Sequence, residues 1–415
     1  MNQNRIAFHS DNPRLEDGFR WAQSQALHYA HDQSSIGPWY EAALPGRDAF
    51  CMRDVSHQAA GAHFLGLDAH TKNMLLQFAK GISESRDWCS YWEITGLGTP
   101  APVDYTSDRD FWYNLPANFD VLDACWRMYC LTGDRDYLEN PAFVNFYDRT
   151  VTDYVSRWDH DGDGIPDRAA LHSRRGIPSY DEQKGMEQMA VGADLIAAQY
   201  RGYLSYAKLR GRPEYAEKAR RLALLLSTDW WDSKNNQFYG AMDSGGRMLD
   251  SLGSPHLLAY FDAVADTKQR SALLNQIQRM GETGIIVELA SHYPEIFFRH
   301  GQPQRGLFWL YHLIDPRLER REYPEVSFAA IGAYVTGLFG LSAAEGTITL
   351  TPWLPEGTGY MSLTDCPLFG GTVDLLHNAD ETLLQNNTSR PLSWQGQRIA
   401  PGASYSQKHK ASKKE

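Results

Sequence analysis

The stretch YAKLRGRPEYAEKARRLALLL (residues 206–226) shows most directly how this chain folds. Apolar residues at helical spacing run up to a short turn that contains Gly211, and a second amphipathic helix follows at once. Because a short turn leaves consecutive helices antiparallel, the stretch predicts a helical hairpin. The same pattern recurs at residues 63–80, 127–140 and, more weakly, 263–280, and a first helix is predicted at residues 13–31.

The hairpins are spaced irregularly along the chain, whereas a solenoid of repeats has a near-constant period. Long segments separate them at residues 34–50, 85–116 and 159–184. Loops of more than about a dozen residues are uncommon unless they have a function. We therefore predict a mainly α fold, a closed toroid of helical hairpins with long functional loops at one end.

The pattern of apolar and polar residues along the sequence changes after about Gly340. TITLTPWLPEG (residues 347–357) and GGTVDLLHN (370–378) alternate apolar and polar residues between turn signals, which is typical of antiparallel strands. The predicted domains are thus a helical catalytic domain at residues 1–343 and a small β-sandwich-like module at 344–406. The basic end at residues 407–415 is predicted to be a disordered tail.

Composition narrows the class of protein. The 415 residues are 42% hydrophobic and 22% charged, as in a soluble globular chain, and the net charge of −11 argues against nucleic acid or an anionic membrane as partner. The sequence has no signal-like N-terminus and no membrane-spanning run, so we expect a cytoplasmic protein, although a processed secreted or periplasmic form would look the same. The five cysteines fit no disulfide or zinc pattern and are predicted to be buried thiols.

Aromatic residues are numerous, with 12 Trp, 22 Tyr and 17 Phe. Many lie in segments 87–94 and 104–120, which lack helical periodicity and flank two carboxylates. A buried core strand would also be aromatic, but rings also stack on the C–H faces of sugars. We predict a sugar subsite here with the substrate-binding residues Trp88, Trp92, Glu93 and Trp112.

GRDAFCMRDVSHQ (residues 46–58) is a second candidate for substrate binding. Asp54 has two interpretations, since it would suit the N-cap of the next helix or would project with Arg53 into a cleft and bind sugar hydroxyls. His57 would follow one turn later. We predict Arg53, Asp54 and His57 as substrate-binding residues, with a purely structural role as the alternative.

WDHDGDGIPD (residues 158–167) resembles a calcium loop in its spacing. Asp159, Asp161, Asp163, Ile165 and Asp167 stand at the positions that supply ligands in such loops, whereas Ala170 replaces the bidentate glutamate. We predict a structural calcium site at these five residues; an Asp-rich turn that caps the preceding helix is the alternative.

LHSRRGIPSYDEQ (residues 171–183) places Asp181 and Glu182 directly after Tyr180 on a loop. Carboxylates on a loop that is held by rigid helices are suited to acid/base catalysis. Arg174, Arg175 and Tyr180 precede them and are predicted to bind substrate. The sequence contains no phosphate-binding Gly-rich loop, no G-x-S-x-G elbow and no HExxH motif.

The order of these features resembles the six-hairpin, (α/α)6-toroid glycosidases, which include α-L-rhamnosidases, processing α-glucosidase I and glucosylceramidase-type hydrolases. The resemblance covers residues 46–356. It rests on the Asp-rich loop with the Tyr-Asp that follows it, and on YPEVSFAAIGAYVTGLFGL (residues 323–341) ahead of TITLTPWLPEG. It implies an (α/α)6 barrel followed by a β module.

The resemblance also implies catalytic roles. A middle carboxylate of the family is the general acid, which corresponds to Asp181, and a carboxylate before the last hairpin is the base, which corresponds to Glu325. Glu182 adjoins Asp181, so the identity of the acid is ambiguous by one position. The pair Arg174–Arg175 has no match in the members that act on neutral sugars.

We expect a glycoside hydrolase that removes a terminal sugar, a rhamnose or a uronate, from an oligosaccharide by inverting acid/base catalysis. A uronate would explain the two arginines, because guanidinium groups bind carboxylates in a bidentate manner. A uronate lyase on the same toroid is one alternative, with Arg175, His57, Tyr91 and Tyr180 as its candidates. A non-catalytic carbohydrate-binding toroid is the other. No cofactor is expected beyond the structural calcium, and no partner beyond the oligosaccharide.

Overall fold

The structure is a computed structural model that describes residues 5–168, 174–182, 185–344 and 346–409. Residues 171–173 and 183 of the predicted acid-bearing stretch, Ala170 of the calcium-like loop and residues 410–415 of the predicted tail lie outside the described residues.

Helices account for most of the regular structure. In the described ranges they are α1 (Pro13–His28), α2 (Met52–Phe64), α3 (Asp68–Gly81), α4 (Ala117–Thr132), α5 (Asp136–Glu139), α6 (Pro141–Arg149), α7 (Val155–Trp158), α8 (Ala193–Arg210), α9 (Pro213–Thr228), α10 (His256–Tyr260), α11 (Thr267–Glu282), α12 (Val287–Ala290), α13 (Tyr293–Arg299), α14 (Pro303–Leu313) and α15 (Pro324–Gly332). Two π-helical segments, Thr150–Tyr154 and Ala333–Leu338, continue α6 into α7 and extend α15.

The helices form two concentric rings. The inner ring runs α2, α4, α8, α10, α13 and α15, each packed against the next, and α15 closes the ring against α2. The outer helices are α1, α3, α6, α9, α11 and α14, and most of them pack against the inner helix next to them in the chain. The predicted (α/α)6 toroid of helical hairpins is confirmed.

Local sequence explains both the hairpin turns and the close helix packing. Helix α8 ends at Gly211, whose φ of +64° is a left-handed cap, and α9 begins with Pro213. Helices α2 and α15 approach closely at Gly61, where a Cβ atom would lie 2.1 Å from the carbonyl oxygen of Phe328. Small residues at this contact therefore set the spacing of the inner ring.

The strands are short except near the C-terminus. They are β1 (Ala7–Ser10), β2 (Ala30–His31), β3 (Trp39–Tyr40), β4 (Ala49–Cys51), β5 (Glu93–Thr95), β6 (Tyr105–Ser107), β7 (Asp110–Phe111), β8 (Met189–Gly192), β9 (Trp231–Asp232), β10 (Gln237–Phe238), β11 (Ala241–Asp243), β12 (Met248–Leu249), β13 (Ser342–Ala344), β14 (Thr347–Thr349), β15 (Tyr360–Leu368), β16 (Gly371–Asn378), β17 (Glu381–Asn386), β18 (Leu392–Trp394), β19 (Gln397–Ile399) and β20 (Ser404–Lys408).

The C-terminal β module contains a five-stranded sheet, β1-β15-β16-β17-β20, and a four-stranded sheet, β13-β14-β18-β19. Two predicted boundaries change. Strand β1 pairs antiparallel with β15, so the N-terminus belongs to the module and not to the toroid. Strand β20 pairs with β17 as far as Lys408, so the first residues of the predicted tail are ordered by the sheet.

The β module packs against the C-terminal ends of inner helices. The N–H of Phe369 donates to the carbonyl of Leu131 at 2.7 Å, and His63 Nε2 lies 3.0 Å from the carbonyl of Pro367. All five cysteines are buried, as predicted. None of the helices in the described part of the chain combines the length and apolar character that a membrane crossing requires.

Candidate active site

Carboxylates gather at the end of the toroid where the inner helices begin. Asp54 lies in the first turn of α2, Asp120 in that of α4 and Glu325 in that of α15. The positive ends of the helix dipoles favour negative charge at these positions. The long loops at residues 34–50, 85–116 and 159–184 lead into this end of the toroid ahead of α2, α4 and α8.

Glu325 is a buried carboxyl at this mouth. Burial, together with the nearby charges of Asp54 and Glu288, raises the pKa of its carboxyl to about 8, and Arg53 opposes this rise. The carboxyl therefore holds a proton near neutral pH in the free protein. This combination of burial and a like-charged neighbour is typical of acid/base groups in active sites.

A small polar cavity of about 30 Å³ lies beside Glu325. Its lining includes Asp54, His57, Glu288 and Glu295, so most of its polar groups accept hydrogen bonds. The space suffices for one or two water molecules, and the lining supplies the several polar partners that a buried water requires. Water can thus occupy a position next to the Glu325 carboxyl.

The two adjacent acids of the middle loop point in different directions. Asp181 is buried, and its Oδ2 accepts a hydrogen bond from the backbone N–H of Gly253 at 2.6 Å. Glu182 is exposed to solvent but lies in a recess, where burial raises the pKa of its carboxyl, Arg53 opposes this and Asp54 adds to it. Glu182, rather than Asp181, shares the mouth of the toroid with Arg53, Asp54 and Glu325.

Asn114 positions Glu182, and the sequence interpretation missed it. Its Nδ2 donates to the carbonyl of Ser179 at 2.7 Å and to Glu182 Oε1 at 3.4 Å. Trp112 Nε1 donates to Asn114 Oδ1 at 2.7 Å, which fixes the amide and brings Trp112 close to the recess. No signal in the sequence distinguishes Asn114 from an ordinary loop asparagine.

His57 belongs to a buried network behind the mouth. Its Nε2 lies 3.2 Å from Asp120 Oδ2, its Nδ1 lies 2.8 Å from His292 Nε2, and Tyr180 donates its hydroxyl proton to Asp120. Burial, Arg127 and Arg53 lower the pKa of His57 to about 3, and burial raises that of Asp120 to about 8. His57 and Tyr180 are therefore neutral groups bonded within this network, and their predicted contact with substrate stays a prediction.

Arg53 links this network to the mouth. Its guanidinium lies 5.1 Å from the Tyr180 ring centroid, within cation–π distance, and its Nε lies 3.5 Å from Asp54 Oδ1. The predicted group Arg53, Asp54 and His57 is thus brought together, with Arg53 and Asp54 at the mouth and His57 behind it. Asp120 and His292 were missed, because only the tertiary fold makes them neighbours of His57.

Glu93 and Asp104 form a carboxyl pair in the 85–116 loop. Arg47 Nη1 donates to Glu93 Oε2 at 2.8 Å and lies 3.8 Å from Asp104 Oδ2. Burial and a hydrogen bond with Asp104 raise the pKa of Glu93 to about 8, so the Glu93 carboxyl holds a proton near neutral pH. Since Asp104 also acts on the pKa of Glu182, the pair lies near the mouth.

The three predicted tryptophans lie in different places. Trp112 lies near Glu182 through Asn114. Trp92 is buried, and its ring lies 6.2 Å from that of Tyr180, so it forms part of the core under the site. Trp88 packs under the guanidinium of Arg149, on outer helix α6, at 4.8 Å, which places its ring away from the mouth. Its predicted contact with a sugar stays a prediction.

The guanidinium groups of Arg174 and Arg175 bond to residues of neighbouring loops. Arg174 donates to the carbonyl of Val103 at 3.0 Å and pairs with Asp110 at 3.2 Å. Arg175 pairs with Asp87, whose other oxygen accepts from Arg157 at 2.8 Å. These bonds hold neighbouring loops together, and they remove the argument for an anionic sugar in the mouth.

The calcium-like loop brings together three of its five predicted ligands. Asp159, Asp161 and Asp163 each offer a carboxylate oxygen, and these oxygens lie within 4.8 Å of one another. Burial raises the pKa of Asp163 to about 6, and the charges of Asp161 and Asp159 add to it. Three converging hard oxygen donors fit calcium.

The other two predicted ligands fit less well. Asp167 Oδ1 lies 2.7 Å from His160 Nδ1, so Asp167 turns away from the three. Ile165 donates its N–H to Asp163 at 2.7 Å. Calcium at this loop stays a prediction.

No protein-family model and no curated protein sequence matches the chain. Solved structures do match. A protein from the human microbiome described as a kojibiose phosphorylase superposes with a TM-score of 0.68 at 11% identity, over 98% of this chain and 68% of that one.

Two rhamnosidases match over less of their length. A family GH78 rhamnosidase from a Bacillus species has a TM-score of 0.66 at 13% identity, covering 92% of this chain and 40% of its own. An α-L-rhamnosidase from Aspergillus terreus has a TM-score of 0.64 at 14% identity, covering 99% and 51%. The chain spans only about half of these enzymes or less, and it has the six-hairpin (α/α)6 fold that all three structures share.

Proposed function

We propose that the chain is a glycoside hydrolase that removes a terminal sugar from an oligosaccharide by inverting acid/base catalysis. Glu182 is the general acid and Glu325 the general base. One observation carries this proposal. A solvent-open carboxyl and a buried carboxyl lie at the same mouth around Arg53 and Asp54, and the buried one borders a water-sized cavity.

The chemistry needs two carboxyls in opposite protonation states. Glu182 donates its proton to the leaving glycosidic oxygen as the bond from the anomeric carbon breaks. Glu325, once ionised, takes a proton from a water, whose oxygen bonds to the anomeric carbon from the other face. Arg53 and Asp54 act on the pKa of both Glu182 and Glu325, so they lie near both carboxyls and are suited to bind sugar hydroxyls.

The carboxylates that line the cavity beside Glu325 favour hydrolysis over phosphorolysis, although a kojibiose phosphorylase shares the fold. Asp54, Glu288 and Glu295 border the cavity beside Glu325 and would repel a phosphate anion. Two of the residues that the sequence suggested for a lyase are bonded within the protein. Arg175 is paired with Asp87, and Tyr180 is buried with its hydroxyl bonded to Asp120.

Aryl glycosides test the proposal, beginning with α-L-rhamnosides because the fold is shared with rhamnosidases. We expect turnover that does not depend on inorganic phosphate, a product released with inverted anomeric configuration by proton NMR, and loss of turnover in both Glu182→Gln and Glu325→Gln. Strict dependence on phosphate would identify a phosphorylase. An unsaturated, ultraviolet-absorbing product would identify a lyase.

A further inference from the structure

A second, larger cavity opens at the opposite end of the toroid from the candidate active site. Its volume is about 770 Å³, within the range of small-ligand sites. It lies between the C-terminal ends of the inner helices, near Leu131, Gly301 and Gly337, and the chain segment that leads into the β module. Ala60, Glu295 and Thr336 border both this cavity and the small one beside Glu325, whereas the proposed acid and base, Glu182 and Glu325, do not line it.

The deep wall of this cavity carries a surplus positive charge. Arg127 and Arg201 share one carboxylate, Asp123, with N–O distances of 3.1 Å and 2.8 Å. Although burial favours the neutral acid, the two arginines hold the pKa of Asp123 below its usual range. One ionised carboxylate between two guanidinium groups leaves a net positive charge at this wall.

The other charges at the cavity are balanced locally. Arg299 pairs with Glu295, and Asp262 lies 3.9 Å from Arg270. The surplus at Arg127 and Arg201 is therefore not cancelled by the remaining charged residues that line the cavity.

Arg201 has hydrogen-bond capacity to spare. Within the described residues its hydrogen bond to a carboxylate uses Nε, which leaves both Nη groups for another acceptor. The side chain is 31% exposed, so it reaches the open space of the cavity and is not sealed in the core. A guanidinium with a free edge binds carboxylate or phosphate oxygens in a bidentate manner.

Aromatic side chains supply the remaining wall. Trp126 on α4 and Trp353 before the β module both line the cavity and are only partly buried, and Phe298 lines it from α13. Indole faces in a polar cavity stack against flat, partly apolar ligands, and pyranose rings present such faces through their C–H groups. A cavity that joins free guanidinium donors to indole walls fits a ring that carries an anionic group.

We propose that this cavity is a second ligand site that binds an anionic sugar, with its carboxylate or phosphate on Arg201 and its ring against Trp126 and Trp353. The site is separate from the mouth that holds Glu182 and Glu325. Its ligand is therefore recognised whether or not the chain hydrolyses glycosides, and binding can be measured without turnover.

Isothermal titration of the full chain tests the site with D-glucuronate, D-glucose 6-phosphate, D-glucose and inorganic phosphate. We expect at least one of the two anionic sugars to bind in the millimolar range or tighter, and D-glucose and phosphate to bind at least about tenfold more weakly. Which anionic sugar binds identifies the anion. Absence of binding by both, or equal binding of D-glucose or of phosphate, overturns the proposal.

Matched variants locate the ligand. Arg201→Lys keeps the charge and the pairing to Asp123 but loses the planar fork, so we expect binding to weaken at least about tenfold. Arg210→Lys is the control, since Arg210 lies on the same helix, pairs with Asp148 and does not line the cavity. Equal affinity in both variants, at unchanged melting temperature, overturns the assignment, as does loss of binding in Glu325→Gln.

Discussion

Asp181 Oδ2 accepts a hydrogen bond from the backbone N–H of Gly253 at 2.6 Å, and this bond engages the Asp181 carboxylate within the protein. A carboxylate held by a backbone donor in a buried place is a structural anchor. It fastens the middle loop to the segment ahead of α10. The neighbouring Glu182 then extends into the recess beside Arg53 and Asp54.

This relationship predicts unequal effects of two conservative changes. Glu182→Gln removes the donated proton and is expected to lower kcat by roughly 100-fold or more. Asp181→Asn keeps an acceptor oxygen for Gly253 and is expected to lower kcat by less than about tenfold. Steady-state kinetics on an aryl glycoside, with circular dichroism to check folding, make the comparison. A larger loss in Asp181→Asn would return the acid role to Asp181.

Activity is expected to have its optimum at neutral or mildly alkaline pH. The proposed reaction needs Glu325 ionised and Glu182 protonated, so kcat/KM falls once both carboxyls have lost their protons. Burial and Asp54 raise the pKa of Glu325 to about 8, which places this falling limb well above the range of an ordinary glutamate. Asp54→Asn removes a charge that raises this pKa and should move the falling limb to lower pH. An unmoved limb would show that another group controls it.

Stability should also depend on pH through Glu325. Its pKa is raised from 4.5 to about 8, so between these values the folded chain holds a proton that the unfolded chain releases, and stability falls as pH rises. Glu325→Gln remains neutral and should be more stable than wild type at pH 8 by roughly 4 kcal/mol, with little difference near pH 5. Urea unfolding at both pH values measures this.

The control for that experiment is Glu214→Gln, at the exposed start of α9. It should leave the pH dependence of unfolding unchanged. A similar slope in Glu325→Gln and wild type would show that Glu325 ionises normally in the folded chain.

Arg175 is predicted to matter for stability and little for catalysis. Arg175→Met leaves Asp87 with Arg157 alone in a partly buried place, so we expect the free energy of unfolding to fall by about 1–3 kcal/mol. The KM for a neutral glycoside should change less than about threefold. A large rise in KM for a uronide with unchanged stability would instead restore the predicted role of Arg175 in substrate binding.

Calcium is predicted to stabilise the loop of Asp159, Asp161 and Asp163. The melting temperature should rise on addition of millimolar calcium and fall again with a chelator, because a ligand that binds only the folded state stabilises it. Asp163→Asn should abolish the response, whereas Asp167→Asn should keep it, since Asp167 faces His160. A response that survives Asp163→Asn would place the metal elsewhere.

Features that rest on local sequence could be predicted well. The hairpin at residues 206–226 was predicted from helical periodicity and a Gly-containing turn, and α8 and α9 lie there. The β module was predicted from alternation, because strand faces repeat every two residues. The mouth loops were predicted from their length alone. In each case the pattern and its cause lie within some twenty neighbouring residues.

Pairings between distant segments could not be predicted. Strand β1 joins β15 across about 350 residues, and no local pattern indicates which edge accepts it. Asp120, His292 and Asn114 carry no motif, and they matter only because the toroid places them beside His57 and Glu182. Arg174 and Arg175 looked free because their partners, Asp110 and Asp87, lie on another loop.

The sequence by itself therefore determined the helical hairpins, the β module, the long loops and a short set of candidate acids, since periodicity, turn residues and spacing act locally. Only the tertiary structure distinguishes the surroundings of Asp181 from those of Glu182. The difference depends on whether the N–H of Gly253, some 70 residues downstream, meets one carboxylate and leaves the other open to solvent. Two adjacent acids are chemically almost alike, and their surroundings give them different roles.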